Sequence, residues 1–450
     1  MFTPPSNWRT LSAQARREAR FADWMATDGK PMATPEAKTT YLRHTQRVKD
    51  IVDLKKPDRV PLLPFMGAFF AQYAGITPHD VMYDYAKYTS AWLKYNRDFQ
   101  PDYLVFSGAF NPGKVFDLLD YKVYRWPGHG IAATQPFQTV EGEYMRADEY
   151  DAYIADPEAY YMRTYMPRAF GALSGWSMLP SVFATMELPM LPAYMIPAGL
   201  PPVMQSFQAF MDAAKAALEY AMASGQADGQ IMAEMGLPAL PGGFTKAPFD
   251  IVGDTMRGTR AIMLDMYRQP AKLLAAVDRT VPIAVQLGVQ TATGQGNPFV
   301  FIPLHKGADG FMSNADFKKF YWPSLKATLI GLVNEGLVPY LFVEGGYNSR
   351  LDVIADPDIP AGSTYWSFDK TDMLEVKKKL GGWACFAGNV PNSMLHAGTP
   401  AQVADYVKQL IDTVAVDGGY ALAAGAVVDE ARPENLHAMF ETCKTYGVYR

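Results

Sequence analysis

The chain has 450 residues, 49% hydrophobic and 19% charged, a globular balance that excludes wholesale disorder. A total of 41 Lys and Arg against 46 Asp and Glu leaves a formal charge of -5, without the basic footprint of a nucleic-acid binder. Two cysteines, Cys385 and Cys443, are too few for a disulfide framework or a cysteine-rich metal site, and they point to a reducing cytoplasm.

Read from the N-terminus, MFTPPSNWRTLSAQARREAR is arginine-rich and lacks the apolar core of a secretory signal. Residues 12–28 are predicted to form an amphipathic helix with Arg16, Arg17 and Arg20 on its wet side. A second helix is expected over 38–52, ending at Lys56-Pro57-Asp58. Arg59 to Phe65 reads as a buried strand, and Tyr103-Leu104-Val105-Phe106 as another. Between them, Thr77-Pro78-His79-Asp80 signals a helix start. The most apolar region, Ala169 to Met204, holds Glu187 as its one acid. Pro180, Pro189, Pro192, Pro197, Pro201 and Pro202 break it well short of the roughly 20 residues of a membrane span. A buried irregular insertion or core loop is the plainer expectation. A methionine-lined lid or wall over an apolar ligand is the sharper one.

The C-terminal half alternates. Strands are predicted at 230–233, 298–302, 339–343, 363–367, 384–387 and 420–423. Helices are expected from Ser313, over 371–380, from Thr399-Pro400 and from Pro433. Such alternation implies right-handed βαβ units and a parallel sheet, and eight units close a barrel. The expected architecture is a TIM-type (β/α)8 barrel, with a helical extension over 1–55 and the barrel over 56–450.

In such a barrel, reactive groups follow the C-terminal ends of strands. That rule selects Glu234, His305, Lys306, Glu344, Tyr347, Arg350, Asp369 and Asn389. Glu344 is foremost, because an acid directly after Leu341-Phe342-Val343 is costly unless it is paired, metal-bound or used as an acid. Pairing with Arg350 or Lys306 would make it merely structural. His305 could ligate a metal or shuttle protons. Asp369 could act as ligand, base or helix cap, and Asn389 could orient a ligand or hold its loop. Gly-x-Gly-x-x-Gly after a strand, a phosphate loop, a Gly-x-Ser-x-Gly elbow and His-Glu-x-x-His are all missing, which weighs against hydride transfer, nucleotide hydrolysis, serine hydrolysis and zincin proteolysis.

Five motifs together carry a resemblance: Pro57-Asp58-Arg59-Val60-Pro61, Gly388-Asn389-Val390-Pro391, Gly398-Thr399-Pro400, Gly418-Gly419-Tyr420 and Arg432-Pro433-Glu434-Asn435-Leu436. With them the chain resembles the uroporphyrinogen decarboxylase superfamily from about residue 50 onward, most densely after 298. The resemblance implies a TIM-type barrel and either decarboxylation or methyl transfer to or from corrinoid proteins.

The decarboxylase pattern has an arginine-rich segment after the first strand, where this chain has Phe65-Met66-Gly67-Ala68-Phe69-Phe70. It also has an Asp after a Phe-Ser pair, where this chain has Phe106-Ser107-Gly108. A polycarboxylate needs cationic partners, so the methyltransferase branch is the nearer one. In that branch zinc is held by His-x-Cys and a later Cys, positions that fall here on Phe342, Glu344 and Ala426. A harder zinc site using Glu344 and His305, with Asp369 in support, is the remaining metal expectation. The catalytic set is then Glu344, His305 and Asp369. The substrate-binding set is Tyr347, Arg350, Asn389, Lys306, Glu234 and Phe65.

The leading expectation is a cytoplasmic, homodimeric methyltransferase that demethylates a small aromatic methyl ether or a similar methylated compound, with ether and amine demethylation both open. Its methyl acceptor would be a corrinoid (cobalamin) on a separate protein, because no Asp-x-His-x-x-Gly motif occurs. The competitors are a cofactor-independent decarboxylase or lyase, holding its acid through Arg350, Lys306 and Arg257, and a non-catalytic ligand-binding barrel.

Overall fold

The computed structural model describes residues 1–105 and 111–449. Six parallel strands form the main sheet, in the order Tyr420–Ala421, Cys385–Ala387, Tyr365–Phe368, Val338–Val343, Phe299–Leu304, Gly243–Phe244. Leu104–Val105 pairs in parallel with Ala239–Leu240. Parallel bridges Leu62↔Leu422 and Met66↔Val428 lay the segment after Arg59 beside the last strand. This is the α/β architecture expected, strands inside and helices outside, although the hydrogen-bonded ladders of the described residues do not run as one closed ring. Every residue of Val338–Val343 is buried, which explains why these strands read as unbroken apolar runs rather than alternating ones.

Local signals explain the helices. Thr77 and Thr399 each close a capping box, with Asp80 and Gln402 respectively. Helix Pro400–Val414 buries Val403, Val407, Leu410 and Val414, one stripe at helical period. Ser313 caps Asn314, and Pro433 opens the final helix Pro433–Tyr446.

The N-terminal helices Ala13–Met25 and Pro35–Val52 are fastened to the sheet. Phe21 and Trp24 meet Phe299 edge-on, with centroids 5.8 and 5.7 Å away. Arg17 and Arg20 are not a solvated face. Both are buried; Arg17 donates to the Gly362 carbonyl at 2.7 Å and Arg20 to the Glu335 carbonyl at 2.9 Å. Their guanidinium groups lie over the rings of Phe21, Phe2 and Trp8 while satisfying a turn carbonyl and a helix-end carbonyl.

Three expectations need correction. Residues 230–233 are not a strand but the last turns of the 35-residue helix Pro201–Met235. Pro201 and Pro202 sit in its first turn, where a missing N–H costs nothing, so they start a helix instead of breaking one. The 169–204 region is not a buried core loop: Phe183 is 74% and Leu188 84% exposed. Only its two ends are packed, Leu173, Trp176 and Leu179 at the start against Val203 at the finish. The predicted strand at Tyr103 is described as Leu104–Val105, while Phe106 and the Phe106-Ser107-Gly108 pattern lie outside the described residues. No helix among the described residues is long and apolar enough to cross a membrane.

Candidate active site

Register decides which strand-end residues can meet. Leu304 is paired with Val343, so the next residues, His305 and Glu344, stand side by side at the C-terminal ends of neighbouring strands. His305 Nε2 lies 3.7 Å from Glu344 Oε1. Side chains alternate along a strand, so Phe301 shares a face with His305, and Phe342 with Glu344. Phe65 lies against both aromatic rings, with centroids 5.1 Å away in each case, stacked on Phe301. An aromatic layer therefore underlies the acid–imidazole pair.

The other face of His305 is held by residues that the sequence reading did not select. After Gly243–Phe244 the chain runs Lys246, Asp250, Asp254 at intervals of four, through the helical turns Pro248–Ile251 and Val252–Met256. Helical spacing of four brings such residues to one side. Asp254 Oδ2 lies 2.6 Å from His305 Nδ1. Asp254 also accepts from the ammonium groups of Lys246 and Lys306. Asp250 is fully buried and accepts from the backbone N–H of His305 and of Lys306, each at 3.0 Å, and from the Tyr321 hydroxyl at 2.7 Å. Its three donors fix the turn that presents His305.

This arrangement separates the protonation states. Burial alone would lower the His305 imidazole, but the Asp254 hydrogen bond and the surrounding carboxylates outweigh it and hold it above its usual range. Glu344 is only half-buried, yet the desolvation it does undergo raises it; His305 opposes that, and the charges of Asp250 and Asp254 add to it. Burial and then Asp254 raise Asp250. Asp254 is driven the other way: burial would raise it, but the His305 hydrogen bond and the Lys246, His305 and Lys306 charges hold it well below the carboxylate range. The result is an imidazole whose protonated form is favoured by the carboxylate clamped to it, facing an acid that is easier to protonate than usual.

The remaining selected residues divide. Lys306 joins the cluster, but as a buried partner of Asp254. Asp369 accepts from Gly345 N–H at 3.1 Å, and burial raises its pKa. Asn389 donates to the carbonyls of Asp369 and Thr371, each at 2.8 Å. These two residues line a separate open cavity of about 820 Å3 beside helix Pro400–Val414.

Arg350 is not free for a substrate. It is 1% exposed, and its guanidinium is used up on the carbonyls of Gly307, Ala308 and Met312 and on Asn314 Oδ1 and Ser349 Oγ. It ties the loop after one strand to the loop after the next. Neither Arg350 nor Lys306 pairs with Glu344. Tyr347 is fully buried against Gly307, where a Cβ would come within 2.1 Å of its hydroxyl. Arg257 is likewise consumed, by Asp265 at 2.6 Å and the Met145 carbonyl. Glu234 is displaced altogether: it ends a helix and pairs with Arg97 at 2.8 Å on the surface.

Zinc does not fit this donor set. His305 and Glu344 offer two donors, but the nearest third, Asp254, is already bound by two ammonium groups that would repel a dication. Among the described residues no group of three or more His, Cys, Asp or Glu side chains is placed to hold a metal. Cys385 and Cys443 are buried away from the site, with thiol pKa values pushed upward by burial.

A parallel α/β fold with a charged cluster at the C-terminal ends of its strands defines the class of protein. The sequence model described as uroporphyrinogen decarboxylase (URO-D) matches residues 218–446, and the chain belongs to that family. The uroporphyrinogen decarboxylase of Methylococcus capsulatus is 23% identical over 211 residues, covering 45% of this chain and 57% of the relative. That of Klebsiella pneumoniae is 26% identical over 162 residues, covering 35% of this chain and 44% of the relative. The matched stretch thus spans about half the length of these curated relatives. Among solved structures, a methyltransferase from Methanosarcina mazei superposes over 90% of this chain and 98% of its own, with a TM-score of 0.57 and 14% identity. That likeness establishes a shared fold.

Proposed function

We propose that the protein is a methyltransferase that removes a methyl group from a small aromatic methyl ether, with His305 as the proton donor. The observation that carries this reading is the clamped His305–Asp254 pair, 2.6 Å apart, facing Glu344 beside an aromatic layer. Cleaving an aryl methyl ether leaves both electrons of the C–O bond on oxygen, so the leaving phenolate must be protonated as the bond breaks. His305 Nε2 carries that proton, and Asp254 fixes the ring by accepting from Nδ1–H and stabilises its charge. Glu344 lies across from Nε2 and returns a proton to the imidazole for the next turnover. Phe65 and Phe301, both partly exposed and backed by Phe342, offer an apolar surface for the ring. The methyl group passes to the reduced corrinoid of a separate carrier protein, which is a co-substrate rather than a resident group.

Two features support methyl transfer over decarboxylation of a polycarboxylate: the segment Phe65–Phe70 carries no arginine, and Arg257 and Arg350 are consumed by protein groups. The test is incubation of the purified chain with 2-methoxyphenol and chemically reduced cobalamin, with chromatography of catechol and methylcobalamin. Equal catechol and methylcobalamin from the native chain, and neither from His305→Ala, are expected. Carbon dioxide release from aromatic acids, with no demethylation of a panel of methoxyarenes, would replace this reading by the lyase reading.

A further inference from the structure

A cavity of about 740 Å3 opens on one flank of the cluster, within the size range of small-molecule pockets. It is walled by Tyr161, Trp176, Phe207, Phe210 and Phe244. Trp176 packs against Phe207 and Phe210 with centroids 5.6 and 5.2 Å away, so the packed start of the proline-rich insertion supplies part of the wall. Phe244 lies 6.4 Å from Phe301, which joins this wall to the aromatic layer described above.

Lys246 is the one cation of the lining; the acid, Glu158, is itself exposed. Two residues beyond Phe244, Lys246 lines the same cavity, and its ammonium reaches Asp254. Asp254 already serves Lys306 and His305. Three donors on one carboxylate leave Lys246 with capacity for a second anion, because an ammonium carries three N–H donors.

We propose that this cavity binds the flat apolar body of an aromatic carboxylate, with its carboxylate on Lys246. The proposal deepens the methyltransferase reading and rests on it for the ligand's identity as substrate: the ethers preferred over neutral ones such as 2-methoxyphenol are those of aromatic acids. Binding in the cavity does not itself require turnover, so the two ideas fail separately.

The probe is 2-naphthoate, titrated calorimetrically into the full chain beside the neutral analogue 2-naphthalenemethanol. One-to-one saturation by the acid is expected, at least tenfold tighter than by the alcohol. Lys246→Met should abolish that preference while the alcohol still binds. Ile283→Trp projects an indole into the cavity from its helical wall and should weaken both ligands at least tenfold. If Ile283→Trp fails to fold by circular dichroism, Leu287→Trp in the same wall replaces it. No saturable binding, or tight binding indifferent to the filling variant, or an acid preference that survives Lys246→Met, overturns the proposal. Binding as expected without any demethylation leaves the cavity standing and removes the reaction.

Discussion

Asp254→Asn is the perturbation that reads the site most directly. The carboxylate is nearly buried and holds three partners: His305 at 2.6 Å and the ammonium groups of Lys246 and Lys306. Asparagine keeps the shape and loses the charge. Removing one partner of a buried ion pair costs about 3–5 kcal/mol, because the other charge stays desolvated; here Lys306 is the exposed casualty, being buried itself. At roughly 2.1 cal/mol/K of unfolding entropy per residue, a chain of this size should then lose roughly 3–5 °C of Tm.

The same substitution must change the titration of His305. Its folded pKa stands above the usual value of about 6.5 mainly through Asp254. A raised folded pKa gives stability that is full below the unfolded value and is lost as pH rises through the folded value. Asp254→Asn should therefore lower the His305 pKa and flatten that alkaline loss. It should also move the basic limb of any demethylase profile toward acid. The assay is the C2–H resonance of His305, assigned by its loss in His305→Ala and titrated from pH 5 to 9, together with thermal unfolding at each pH. An unchanged His305 titration in Asp254→Asn would refute the argument, whatever happened to the activity.

Three further outcomes follow from the same geometry. Glu344 is half-exposed, so Glu344→Gln should change stability by no more than about 0.5 kcal/mol. It should nevertheless lower kcat about tenfold or more with little effect on KM, read from steady-state demethylation. Asp102 is buried between Arg47 and Arg59; burial opposes ionisation, but Arg59, His44 and Arg47 bring its pKa down to about 2. It should supply roughly 2–3 kcal/mol that is present above pH ~4 and lost as pH falls through about 2, measured by urea unfolding; Asp102→Asn should remove that acid-side slope. Gly67→Ala would place a Cβ 2.1 Å from Asp429 Oδ1 and 2.5 Å from Val427 Cγ1. The resulting overpacking should cost about 1–3 kcal/mol in the same assay.

The alternation of apolar runs and capped helices was readable because the strands are buried on both faces and the caps are local. Thr399 with Gln402 and the stripe Val403, Val407, Leu410, Val414 needed no tertiary information. Helix Pro201–Met235 was misread because Gly225 and Gly229 fall near its end and weaken helical propensity. Packing carries the helix through them: Ala227 and Ile231 are buried, and this long-range contact has no local signature. The exposure of Phe183 and Leu188 was equally invisible, since an apolar run reads as buried until its neighbours are known.

Several of the motifs that carry the family resemblance hold the fold, whereas the cluster proposed for the chemistry is built from other residues. Asp58 of the first motif grips Arg47 at 2.7 and 2.6 Å, fastening helix Pro35–Val52. Asn435 of the last motif satisfies the carbonyls of Leu395 and Gly398 at a helix end. Gly418 has φ +83, with the Lys55 carbonyl 2.5 Å from where a Cβ would sit. His305 and Glu344 were accessible because strand register alone makes them neighbours. Lys246, Asp250 and Asp254 were not, because the strand that precedes them is only Gly243–Phe244, too short to leave a strand pattern in the sequence. Their signal was present nonetheless: a Lys and two Asp at intervals of four in an otherwise apolar stretch. Charges so spaced in a buried segment must answer one another or a ligand, and here Asp254 answers the histidine that stands beside Glu344.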